Sequence, residues 1–144
     1  MTTIEGNAME FETDWTDGGQ NRMEQKMEKL NRYFEEKIAG CGQRDRELSA
    51  DGRGDEAVFE KVRGNIYDAM RTWLAVAARI NPGNADGAKD FFIQRVEQIP
   101  ASWAAAYDKA KEHGDTVRMQ TEQVKLDVVR EVCAKFDEIW EGVE

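Results

Sequence analysis

DEAVFEKVRGNIYDAMRTWLAVAARI, residues Asp55–Ile80, is the stretch that decides the fold class. Phe59, Val62, Ile66, Ala69, Trp73, Val76 and Ile80 recur in it at steps of three and four, the spacing that lines one face of an α-helix. Met70, Leu74 and Ala77 widen that stripe, while Lys61, Asp68, Arg71, Thr72 and Arg79 fall on the opposite side. From Trp73 to Ile80 even the outer face is mostly alanine. A helix that is apolar nearly all round belongs inside a bundle, so this stretch is read as the central helix, with Trp73 largely buried.

The same spacing continues outward in both directions. Met23, Met27, Leu30, Phe34 and Ile38 form a narrow seam that predicts a peripheral helix over 20–39, closed by Gly40 and Gly42. Residues 40–54, rich in glycine and charge, are expected to be a loop that exposes Cys41. Asp55 is the expected N-cap of the central helix, because its carboxylate can accept N–H groups of the first turn. Asn81-Pro82-Gly83-Asn84 breaks that helix. A short helix follows over 85–98, burying Phe91, Phe92, Val96 and Ile99. Pro100 lacks an N–H and pushes Ile99 out of the α region, which predicts a break before a fourth helix over 101–113. Gly114 closes that helix and Asp115 caps the last, over 115–142. There Val117, Val124, Val128, Val132, Phe136 and Ile139 form one side, extended by Leu126, Val129, Cys133 and Trp140. Glu131 is placed on the wet face.

The expectation is an all-α fold, an irregular antiparallel bundle of about five helices. Its 144 residues suffice for one domain. Residues 1–19 are set apart as an acidic leader, flexible or docked, ahead of a single helical-bundle domain over 20–144. Glu5, Glu10, Glu12, Asp14 and Asp17 give the leader −5 of the chain's −9 and leave −4 for the other 125 residues. Met9, Phe11 and Trp15 are its large apolar groups, and docking them onto a groove is set against simple disorder.

Composition argues against several chemistries. The acidic balance repels nucleic acid, and no basic cluster is longer than Gln43-Arg-Asp-Arg46. With no apolar run near 18 residues and no charged-then-apolar leader, neither membrane spanning nor secretion has support, and a cytoplasmic protein with two free thiols is expected. A di-iron carboxylate bundle needs two Glu-x-x-His pairs, but His113 is the one histidine and Ala110 lies three residues before it. As calcium loops, 51–62 puts Arg53 and Glu56 at the wrong positions and 82–93 offers Pro82 and Ile93 for carboxylates. Gly52-Arg-Gly-Asp-Glu-Ala57 fits a loose phosphate-loop pattern with no strand before it. No catalytic, cofactor-binding or metal-ligating residue is assigned.

The function expected from these features is a non-enzymatic protein–protein interaction module, able to self-associate, with no membrane or nucleic-acid partner. One alternative is a small-molecule-binding or enzymatic helical domain using Tyr67, Arg71, Tyr107, Asp108 and His113 in a pocket between helices. Another is an acidic decoy of nucleic acid.

Overall fold

The computed structural model describes residues 2–142, with side chains described from Arg22 onward except at Pro100. It is all-α: α1 (Thr2–Ala50), α2 (Gly54–Ile80), α3 (Ala85–Glu112) and α4 (Thr116–Glu141), with no strand among the described residues. Turns of three or four residues make consecutive helices antiparallel neighbours. The helix centred on Asp55–Ile80 is indeed the shared one, since α2 packs on α1, α3 and α4, whereas α1 meets α4 along a narrower strip.

Several sequence-based boundaries move. The expected loop over 40–54 shrinks to Asp51-Gly52-Arg53, because α1 continues through Gly40 and Gly42. Two interior glycines cost a helix about 1 kcal/mol each relative to alanine, but packing offsets them. Cys41 is only 2% exposed, and a Cβ added to Gly64 of α2 would lie 3.5 Å from its Cβ. The small side chains let the two backbones approach closely, so Cys41 is a buried thiol and not an exposed loop residue.

The predicted break at Pro100 is absent as well. The expected helices over 85–98 and 101–113 are one element, α3. It is held to α4 on both sides of the proline, by Phe92 on Phe136 with centroids 4.8 Å apart and by Trp103 beneath the Lys125 ammonium. α1 likewise takes in the backbone of the stretch set apart as a leader. Whether Met9, Phe11 and Trp15 dock lies outside the described side chains.

The caps follow local chemistry. Asn84 caps α3 by accepting from Gly87 N–H at 3.0 Å, and Asp115 caps α4 by accepting from Arg118 N–H at 3.0 Å. Gly83 (φ 70°) and Gly114 (φ 68°) make the reversals before them, in a backbone region that penalises any Cβ. α2 instead starts after Arg53, without a side-chain cap. Asp55 sits inside its first turn, where a negative charge suits the helix dipole.

The core occupies the half of the bundle that holds the α2–α3 turn and the end of α4. Leu30, Phe34, Met70, Leu74, Ala77, Ala88, Phe92, Val132 and Phe136 are all fully buried there. Trp140 stacks on Phe136 at 5.0 Å and donates its indole N–H to the Ala85 carbonyl at 3.2 Å. α2 is rotated from the expected orientation. Its buried line is Ile66, Tyr67, Met70, Leu74 and Ala77, while Trp73 is half-buried and Ile80 is 52% exposed. Val117, placed inward from the spacing, is 65% exposed.

Candidate functional site

Two features of the α1 side of the bundle have chemical content. The first is a polar cluster where α1, α2 and α4 meet. Glu131, expected on the wet face of α4, accepts from the Tyr67 hydroxyl at 2.8 Å and the Tyr33 hydroxyl at 2.9 Å, and pairs with Lys37 at 3.0 Å. Tyr67 is buried, and its ring meets Tyr33 edge to face at 6.3 Å. Burial alone would raise the Glu131 carboxyl, but hydrogen bonds from Tyr67, Lys37 and Tyr33 outweigh it and hold the group below its ordinary value. Both phenols are pushed upward, first by burial and then by donating to Glu131.

Two turns from Tyr67 toward the start of α2, Glu60 is buried between the helices. One of its oxygens takes Arg63 at 2.8 Å and Arg44 at 3.2 Å, and the other has no hydrogen-bond partner among the described residues. Cys41 lies beside this group, and its thiol is pushed up mainly by burial, with Glu60 adding to the shift and Arg44 opposing it. Burial also raises the half-buried Cys133 thiol. On α4, Glu122 repeats the pattern of Glu60. Arg118 and Lys125 share one of its oxygens at 3.4 and 3.3 Å, and the second oxygen is buried with no partner among the described residues.

These directions work against chemistry near neutral pH. A carboxylate held low is a weak base, raised phenols are weak acids, and raised thiols hold little thiolate. The cluster instead cross-links three helices. Among the described residues no three His, Cys, Asp or Glu side chains are grouped to hold a metal ion.

The second feature is a groove of about 790 Å3 between α1 and α4. It forms because α1 leans on α2 and touches α4 only narrowly. Tyr33 and Ile139 lie among its lining residues, and Arg22, Lys26, Lys29, Arg32 and Lys135 edge it against only two carboxylates, Glu36 and Glu138. Lys26 also donates to the Trp140 carbonyl at the end of α4, Arg32 pairs with Glu28 at 3.1 Å, and Lys135 pairs with Glu138 at 3.4 Å. On the other flank of α1 a depression of about 560 Å3 is lined by Met23 and Met27 with Ala78, Pro82 and Gly83.

Compared with protein-family models, curated proteins and solved structures, the chain matches none.

The polar residues considered for a pocket are not brought together. Tyr67 serves Glu131, Arg71 pairs with Asp68 at 2.7 Å, and no hydrogen bond or ion pair described joins either to Tyr107, Asp108 or His113. His113 is exposed and is the C-cap of α3. The basic side of the first helix, with Arg22, Lys26, Lys29 and Arg32, is legible in the sequence although its cations alternate with glutamates; that α4 closes it into a groove is not. Only the helical turn sorts Arg22, Lys26 and Lys29 onto one side, where Lys135 of α4 joins them. Its signal was the i, i+4, i+7 spacing of Arg22, Lys26 and Lys29.

Proposed function

We propose that the protein is a non-enzymatic helical interaction module whose α1–α4 groove receives an acidic amphipathic helix from a protein partner. The observation that carries this reading is the charge of the groove. Five cations face two carboxylates in a chain whose net charge is −9. A helix with an apolar stripe would lie on Tyr33, Ile139 and the aliphatic stems of the lysines, with its acids toward the ammonium and guanidinium heads. The directions of the tyrosine, cysteine and Glu131 shifts support the non-enzymatic part. The chain's acidity speaks against nucleic acid as the occupant, and no helix among the described residues is long and apolar enough to cross a membrane.

The test is a fluorescent synthetic helix of glutamates with leucine and phenylalanine at steps of four and three, titrated into the full chain. Saturable binding is expected, weakening as salt shortens the Debye length from about 10 Å at 0.1 M. It is expected to be lost in an Arg22→Glu/Lys29→Glu variant. Equal or tighter binding of duplex DNA, or no peptide binding at all, would overturn the reading.

A further inference from the structure

The other flank of α1 carries the opposite charge around an apolar floor. Met23 and Met27 stand four residues apart at the edge of the core, where Met23 is buried and Met27 packs against the buried cluster. Ala78, near the end of α2, and Pro82, in the turn that follows, line the same depression of about 560 Å3. The single-carbon side chain of Ala78 leaves room there that a larger residue would fill. Glu24, Glu28, Asn31 and Glu35 stand at steps of four, three and four, so one face of α1 rims that floor.

We infer that this depression is a second docking surface, one that takes a basic amphipathic helix from a protein partner. It does not depend on the α1–α4 groove being a binding site. Three carboxylates border the floor with one cation, Arg32, which is already paired with Glu28 at 3.1 Å. Glu24 and Glu35 are both exposed, and their spacing along α1 is about 16 Å, three turns of a docked helix. Lysines or arginines of such a helix would meet these two carboxylates near the ends of the floor. An apolar side chain between them would lie on Met23, Met27 and Ala78.

Two physical points separate this surface from an ordinary solvated helix face. Exposed acids alone, expected anywhere in a chain of net charge −9, attract cations weakly and without regard to shape. Here they surround methionines, whose unbranched, polarizable side chains remould to a leucine or a phenylalanine. The floor is also continuous with the cluster that holds Leu30, Phe34 and Ala77, so an apolar group seated on it exchanges water for a packed surface.

The experiment titrates the full chain, its methionine methyl groups isotope-labelled, with a synthetic helix of lysines bearing leucine and phenylalanine at steps of four and three. A peptide of the same charge with serine at the apolar positions is the control. Saturable binding is expected, tighter than for the control by about tenfold or more, because one buried apolar side chain suffices for that. The Met23 and Met27 methyl signals should shift, and that of Met119, in the first turn of α4 at the far end of the bundle, should not. Glu24→Lys/Glu35→Lys, checked for unchanged helicity by circular dichroism, should bind about tenfold more weakly. Arg22→Glu/Lys29→Glu, altered on the other flank, should bind at least as tightly as the native chain. Equal affinity for the serine peptide, no saturable binding, or unchanged affinity in Glu24→Lys/Glu35→Lys would each overturn the inference. If that variant loses helicity, the methyl signals of the native chain decide, and unmoved Met23 and Met27 overturn it. Failure of the acidic helix to bind the α1–α4 groove would end that reading and leave this one standing.

Discussion

Tyr67 joins two requirements that pull in opposite directions. Its ring belongs to the buried core, while its hydroxyl must find a partner, and Glu131 supplies one at 2.8 Å. Tyr67→Phe keeps the ring and removes one of the donors that hold Glu131 below its ordinary range. The expected loss is about 1.5 kcal/mol, read as a lower denaturant midpoint at unchanged slope. The same cluster sets a pH dependence. The Glu131 carboxyl is lower in the folded than in the unfolded chain, so its contribution is present above the ordinary carboxylate pKa and is lost as pH falls through the folded value. The Tyr33 and Tyr67 phenols are raised on folding, so theirs is present below the ordinary phenol pKa of about 10 and is lost above it. Melting temperatures of the native chain are expected to fall toward both extremes. The alkaline fall should be smaller in Tyr67→Phe, and an unchanged alkaline limb would show that the phenol shift contributes nothing.

At the scale of the element, α2 shows how far spacing resolves a face. The apolar arc of Asp55–Ile80 is so broad that its centre is poorly defined, and the structure turns it toward Met70 and Leu74. Trp73 lies at the flank, half-buried, with the Arg95 guanidinium 5.6 Å from its ring centre. Leu74→Ala is therefore expected to cost about 3–4 kcal/mol through lost transfer energy and a cavity. Trp73→Ala should cost clearly less, because its site is open to water and can relax. Chemical denaturation of the two variants ranks them, and the reverse order would place the seam where the spacing alone had it. α1 and α3 carry the opposite lesson. Local breakers, Gly40, Gly42 and Pro100, are overridden where contacts on both sides hold the helix straight through them.

Over the whole molecule the core is uneven. Its contiguous apolar cluster takes in Leu30–Phe34, Ile66–Ala77, Ala88–Val96 and Val128–Trp140, and it leaves out Ala57, Ala110 and Val124 near the α1–α2 and α3–α4 turns. At that second end the buried groups include Glu60 and Glu122, each with an unpartnered oxygen that costs about 1–3 kcal/mol where nothing compensates it. The bundle should therefore open from that end. Native-state hydrogen exchange is expected to show amides of 57–63 and 118–124 exchanging through a lower-energy opening than those of 67–77 and 129–139. A single opening energy across all four segments would show the bundle to be one cooperative unit.

The sequence by itself determined the all-α class, the central place of Asp55–Ile80, the breaker at Asn81–Asn84 and the cap at Asp115. Each of these rests on contacts within a few residues, through helical spacing, backbone conformation or a side chain bonding the next turn. Tertiary structure alone decided that α1 and α3 run unbroken, that Cys41 is buried, that Glu131, exposed as expected, takes two tyrosine hydroxyls, and that the cations of α1 meet Lys135 across a groove. Those outcomes depend on which helix lies alongside which, and on how each is turned about its axis. Partners distant in the chain set both, and an arc of apolar residues this broad fits several such arrangements.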